Sequence, residues 1–188
     1  MALKLITAPA TEPITLDEAK AHLRVVGDDE DALITALIAA ARQGAEHITG
    51  RALMPQVWEL VLDEFECTIN LPKPPLVAVA SVKYVDTNGV LQALDESAYQ
   101  VDADSVPARV MPAYGASWPS TRCQPNAVRI QFQCGYADAA AVPQEIKTWM
   151  LLRISALYEN RDAVNVGNIV TEFPYVERLL DAYRVWVA

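Results

Sequence analysis

Basic side chains are scarce in this sequence. Its 188 residues carry 15 Lys and Arg against 24 Asp and Glu, a net charge of −9. A grip on a phosphate backbone comes from Lys and Arg displacing counterions, so this balance argues against a nucleic-acid-binding module acting alone. A surface past which a polyanion merely slides stays compatible with it. The deficit is uneven: residues 1–66 hold 5 basic and 12 acidic side chains, 67–135 hold 5 and 5, and 136–188 hold 5 and 7.

Metal-binding and redox residues are also few. His22 and His47 each stand alone in a predicted helix, with no second His or Cys three or four residues away, which argues against a metal site. Cys67, Cys123 and Cys134 are odd in number and form no Cys-x-x-Cys pair, so they read as ordinary reduced thiols and not as a disulfide framework or zinc site. Seven glycines supply no phosphate-cradling loop, no Gly-x-Gly-x-x-Gly and no Gly-x-Ser-x-Gly elbow. The longest apolar stretches, such as Ala32 to Ala41, are too short to span a membrane. Met1-Ala2-Leu3-Lys4 does not open a secretory signal, and the chain is expected to stay in the cytoplasm of the cell that makes it.

What is present is a normal core-forming composition, 52% hydrophobic and 21% charged, in a length that fits one domain or one domain carrying an inserted module. Leu5 to Pro13 reads as an extended arm. Thr15 and Glu18 form a capping box for a helix from Leu16 to about Arg24. The acidic turn Asp28-Asp29-Glu30-Asp31 suits a helix N-terminus. Helix two follows to Thr49, with Leu33, Ile34, Leu37, Ile38, Ala41, Ala45 and Ile48 on one stripe and Gly50 as its C-terminal cap.

The period then changes. Strands are expected at Val57–Leu62, Thr68–Leu71, Val77–Val85, Val90–Leu94, Tyr99–Asp102, Ala108–Met111 and Ala127–Gln133, with an Asn88-Gly89 hairpin turn and a turn-rich loop from Pro112 to Pro125. Helical period resumes after Pro143, with Ile146, Trp149, Met150, Ile154 and Leu157 on one face, and a last helix near Pro174 carries Val176, Leu179, Leu180 and Tyr183. Helices, strands, helices in separate runs make an α+β fold. The expected organisation is a discontinuous helical domain, residues 1–55 and 136–188, whose N- and C-terminal helices pack together around an inserted small antiparallel β module, residues 56–135.

No catalytic set stands out. The acidic turn lacks the alternating ligands, central Gly and distant Glu of a calcium loop. Asp102 and Asp104 would face the same side of a strand, yet acidic strand ends are common. Trp58, Trp118, Trp149 and Trp186 are scattered and have few basic neighbours, so core or interface packing is their ordinary use. The expectation is a chain that is not an enzyme and holds no cofactor and no metal.

Several segments, in order, resemble the head–tail connector (adaptor) family of long-tailed phages, prophages and gene-transfer agents. They are Pro13-Ile14-Thr15-Leu16-Asp17-Glu18-Ala19-Lys20-Ala21-His22-Leu23-Arg24, the acidic turn with Leu33-Ile34, and Thr49-Gly50-Arg51-Ala52-Leu53 with Gln56 and Trp58. Further matches are Leu71-Pro72, Pro74-Pro75-Leu76, Val79 to Tyr84, Tyr114-Gly115, Trp118-Pro119 and Asn126-Ala127-Val128. Gly135-Tyr136, Val142-Pro143, Tyr158-Glu159-Asn160-Arg161 and Leu179-Leu180-Tyr183-Arg184 extend the likeness to nearly the whole chain. The resemblance implies a virion structural protein at the head–tail junction. It would be a homo-oligomeric ring, commonly twelvefold, below the portal protein, extending the DNA channel and offering a platform to head-closure or tail proteins.

On that reading, ring contacts fall to the outer faces of helix two and the Pro143 helix, with Glu159 and Arg161 as opposite charges at a seam. A local surface pair of little worth is the alternative use of those two. Tyr183 and Trp186 would dock on the portal, or Trp186 would pack on its own helices. Asp28, Asp29, Glu30 and Asp31 would line the channel and repel phosphates, against the alternative of a solvated outer face. Two other functions stay open: a head-closure or tail-terminator protein of the same machine, and a host ligand-binding protein or enzyme with a pocket between helices and β module.

Overall fold

A computed structural model gives the structure of the protein, and it describes residues 1–160 and 174–185. The fold is α+β. The chain divides into two compact units, one built from Met1–Ala10 with Pro55–Tyr136, the other from Thr11–Met54 with the described part of 137–186.

In the helical unit, α1 (Leu16–Leu23) begins at the expected capping box. The Glu18 N–H donates to Thr15 Oγ1 at 3.2 Å, and the Thr15 N–H donates to Glu18 Oε2 at 2.7 Å. Two orphan donors of the helix start are thereby satisfied. The Thr15 backbone N–H first, and then the Thr15 hydroxyl, which donates to Glu18 Oε2 at 2.9 Å, hold the Glu18 carboxyl below its ordinary value of 4.5. Because the folded pKa is the lower one, this stabilisation is present above about pH 4.5 and is lost as pH falls through the folded value. Glu18→Gln keeps an acceptor but does not titrate. The urea midpoint of the helical unit should therefore fall less between pH 7 and pH 3.5 in the variant than in the parent. An equal fall in both would show that the box makes no contribution to acid sensitivity.

Helix α2 (Asp31–Thr49) starts two residues later than expected and ends at Gly50, whose φ of 73° suits a residue without a side chain. Ile34, Ile38, Ala41 and Ala45 are buried along one stripe. Helix α3 (Gln144–Glu159) packs against α2 with Ile146, Trp149, Met150 and Ile154, all buried. Pro143 is its N-cap and not its first-turn residue. The last stripe does not form one helix: α4 (Pro174–Arg178) stops early, and a single 3-10 turn covers Asp181–Tyr183. This segment is tied to the end of α2, since the Val185 N–H donates to the Thr49 carbonyl at 2.8 Å and Arg51 Nε donates to the Tyr183 carbonyl at 2.7 Å.

The β unit contains β1 (Ala2–Thr7), β2 (Gln56–Leu62), β3 (Ile69–Leu71), β4 (Leu76–Val85), β5 (Leu91–Ala93), β6 (Tyr99–Asp102), β7 (Ala108–Pro112) and β8 (Val128–Cys134). Five strands form one antiparallel sheet in the order β1-β2-β8-β4-β5, and three form another in the order β3-β7-β6. Strand β8 lies at the centre. Its Val128, Ile130, Phe132 and Cys134 are buried while Arg129 and Gln133 face out, the alternation of a half-covered strand. The first strand corrects the sequence reading. Leu5 to Pro13 reads as an extended arm and residues 1–55 as part of the helical domain, but β1 pairs with β2 and residues 1–10 belong to the β unit. Its short run of apolar residues has no turn signal of its own, and only the partner strand gives it a structure.

The β4–β5 turn forms at Asn88-Gly89 as expected. The Asp86 carboxylate accepts the N–H groups of Asn88 and Val90, both at 2.9 Å. Gly89 has φ 86°, and a Cβ there would stand 2.5 Å from Arg122 Nη1.

Candidate functional site

Four places carry the expectations drawn from sequence. The first is the acidic turn. Asp28 and Asp29 are exposed ahead of α2, while Glu30 is the N-cap position. Lys20 on α1 reaches Asp31 at 2.7 Å and Asp28 at 2.9 Å. These two hydrogen bonds, Asp31 first, raise the Lys20 ammonium above its ordinary value. Glu30 accepts a hydrogen bond from the Tyr158 hydroxyl near the end of α3. The turn is thus a folded knob in which the Lys20 ammonium joins Asp28 and Asp31, the Tyr158 hydroxyl holds Glu30, and Asp29 is exposed.

Glu159, the last residue of α3, is exposed, and Arg161 lies outside the described residues. Tyr183 is half-buried, and its hydroxyl donates to Glu145 at 2.9 Å. Trp186 lies outside the described residues. The structure therefore fixes one member of each expected pair.

Chemistry-bearing candidates turn out to be local structure. Asp102 Oδ1 accepts the N–H groups of Asp104 and Ser105, both at 3.2 Å, and Arg109 Nε stands 3.7 Å from Asp102 Oδ2. The Ser105 hydroxyl, then the backbone, holds the Asp102 carboxyl below its usual range. A carboxylate so held is a turn anchor, not a proton donor near neutrality. Trp118 stacks on Phe65, with centroids 4.6 Å apart and planes at 8°, and donates its indole N–H to the Glu66 carbonyl at 2.7 Å. The proline-rich loop is pinned by that ring. Among the described residues no group of three or more His, Cys, Asp or Glu is arranged to hold a metal ion, and no helix is long and apolar enough to cross a membrane.

Sequence reasoning missed the open strand edges of the β unit. On β4, Lys83–Val85 pair with β5, but among the described residues Leu76–Ser81 have a ladder only with β8. Beside that free edge lies a groove of about 390 Å³ lined by Leu76, Val77, Val79, Glu96, Tyr99 and Val101. Val77 is 53% exposed and Val101 39%. At the other edge of the same sheet, Leu5 and Ile6 of β1 are 47% and 50% exposed. The signal was present as five consecutive apolar residues, Leu76-Val77-Ala78-Val79-Ala80, at the start of the strand expected at Val77–Val85.

These features define a class: an acidic α+β subunit whose distinctive surfaces are strand edges and a charged knob, as suits a part of a larger assembly. The model of the family described as phage gp6-like head–tail connector protein matches residues 13–110, more than half of the chain. The chain belongs to that family, and it is a virion structural protein of the head–tail connector kind. Comparison with curated proteins gives no match. Solved structures cover all of it. A chain in the neck of an empty gene transfer agent (GTA) particle, computed with C6 symmetry, is 25% identical with a TM-score of 0.83, over 100% of this chain and 97% of that one. A chain in the virion of the native GTA particle is 24% identical with a TM-score of 0.83, and one in the native neck with C12 symmetry is 24% identical with a TM-score of 0.77. Both of these also span 100% of this chain and 97% of their own.

Proposed function

We propose that this protein is one subunit of a twelvefold ring at the head–tail junction of a virion, assembled in the host cytoplasm and seated below the portal protein. The ring extends the DNA channel and gives head-closure or tail proteins a platform. The observation that carries this reading is likeness over the whole chain to a subunit of a GTA neck, at 25% identity. Those necks are computed with C6 and C12 symmetry, and a closed ring of identical subunits larger than a dimer is built from heterologous contacts.

The helical unit supplies one such contact. Leu33, Ala36, Ala40, Gln43 and His47 are exposed on α2 at three- and four-residue spacing, a second stripe opposite the buried one and smooth enough for another helix to approach. Glu159, exposed at the end of α3, is assigned to a subunit seam with Arg161 as its opposite charge. Portal docking falls to the C-terminal segment, Tyr183 and Trp186, with Trp186 as the anchor because Tyr183 is already engaged by Glu145 and Arg51.

The acidic knob lines the channel. Fixed carboxylates repel phosphates, and DNA moves past without sticking. Asp28→Lys with Asp29→Lys should leave rings intact but slow packaging and ejection, most visibly at low salt, where screening is weakest. Intact rings with unchanged packaging and ejection would remove the knob from the channel wall.

The ring itself is tested by negative-stain microscopy and light scattering of the purified chain, alone and mixed with its portal. Rings with a central hole are expected in at least one sample. A compact monomer that ignores the portal would overturn the reading.

A further inference from the structure

The two open edges of the five-stranded sheet are unlike each other and complementary. One is β1, with exposed Leu5 and Ile6 and an exposed cation, Lys4. The other is the Leu76–Ser81 half of β4 with its groove, where Val77 and Val101 are exposed. Around that groove the charges are negative. Glu96 is its charged lining residue, and Asp95 stands next to it as the N-cap of the 3-10 turn before β6. Sheet edges left to solvent are ordinarily guarded by charge, but Leu76 to Ala80 carry none. An apolar surface of this kind marks a contact site.

We propose that, in the ring, the β1 edge of one subunit (Lys4, Leu5 and Ile6) seats in the β4–β6 groove of the next copy of this chain. This inference rests on the ring reading. Three features select a second copy as the occupant. The apolar residues of β1 fit a groove walled by Leu76, Val77, Val79 and Val101, and Lys4 meets Glu96 there. In the order β1-β2-β8-β4-β5, strands β2 and β8 stand between the two surfaces, so one subunit cannot satisfy itself. Different patches on opposite edges make a head-to-tail contact, which closes rings and not pairs. Register shifts at Leu76/Ala78 and Val79/Ser81 interrupt the regularity of β4. The contact is therefore made chiefly by side chains filling the groove, not by a long added ladder.

The test uses the full chain with Cys67→Ser and Cys123→Ser, which removes the exposed thiols and leaves the buried Cys134. Ile6→Cys and Val77→Cys placed together, treated with a short bismaleimide under ring-forming conditions, should give a ladder of cross-linked species up to ring size. Either cysteine alone should leave the chain monomeric on a denaturing gel. Dimers from a single cysteine would show a two-fold contact and overturn the proposal. Rings visible by microscopy without a ladder would also overturn it, while leaving the ring reading intact. Absence of rings with and without portal would remove both. As a second measure, Val77→Glu should weaken self-association by about tenfold or more with unchanged circular dichroism, and adding Ile6→Lys should restore it. Unchanged ring formation in Val77→Glu, with loss of tail attachment instead, would assign the groove to a tail partner.

Discussion

Phe132→Ala is expected to lower the stability of the β unit by about 3–5 kcal/mol, the usual penalty for emptying a fully buried aromatic site. Phe132 is 0% exposed on the central strand β8, opposite Trp58 on β2 and Val79 on β4. Strands on both sides hold the backbone in place, so the site cannot collapse to fill the void. A domain has only about 5–15 kcal/mol of stability in total, so this one change can unfold a measurable fraction at growth temperature. Phe132→Leu keeps most of the volume and should cost less than about 1.5 kcal/mol. Urea unfolding followed by tryptophan fluorescence checks both, since Trp58 and Trp118 belong to this unit. A loss under about 1 kcal/mol for the alanine variant would contradict the packing described.

The helical unit depends on a buried charge network. Arg42 donates from Nε to Glu12 at 2.7 Å and from Nη1 to Glu46 at 3.0 Å, and Glu46 Oε1 accepts the Leu53 N–H at 2.9 Å. Arg42 and Glu46 are 7% and 8% exposed. Replacing such a pair by apolar groups is often neutral, but deleting one partner leaves a buried charge without its counterion. Arg42→Met should therefore cost about 3 kcal/mol or more near pH 7. Arg42→Met with Glu46→Gln keeps an acceptor for Leu53 and removes the stranded charge, so it should recover at least about 1 kcal/mol of the single-variant loss. A double variant as unstable as the single one would show that geometry, and not charge, accounts for the effect.

Much of the local structure was legible before any fold was seen. The capping box at Thr15 and Glu18, the stripe of α2 ending at Gly50, the alternation of β8 and the Asn88-Gly89 turn each rest on residues within a few positions of one another. The C-terminal stripe was legible as apolar but not as broken, because Val176, Leu179, Leu180 and Tyr183 keep helical spacing across a segment that the end of α2 pulls into a 3-10 turn. The candidate site was legible as composition. Asp28 to Asp31 announced an acidic surface, but their clasp by Lys20 and Tyr158 depends on how α1, α2 and α3 meet.

By itself, then, the sequence determined the class of fold, the ends of most elements and the acidic character of the first third. Periodicity, caps and turns act over a few residues, and charge is a sum over side chains. Tertiary structure alone decided that β1 joins the β unit, that β8 becomes the central strand despite coming last among the strands, and that Arg42 meets a glutamate 30 residues away. It also decided that Leu76 to Ala80, uncharged though they are, have a ladder on one side only among the described residues. Strand neighbours are chosen by which apolar faces must be covered together, and that choice is made across the whole chain, beyond the reach of any local pattern.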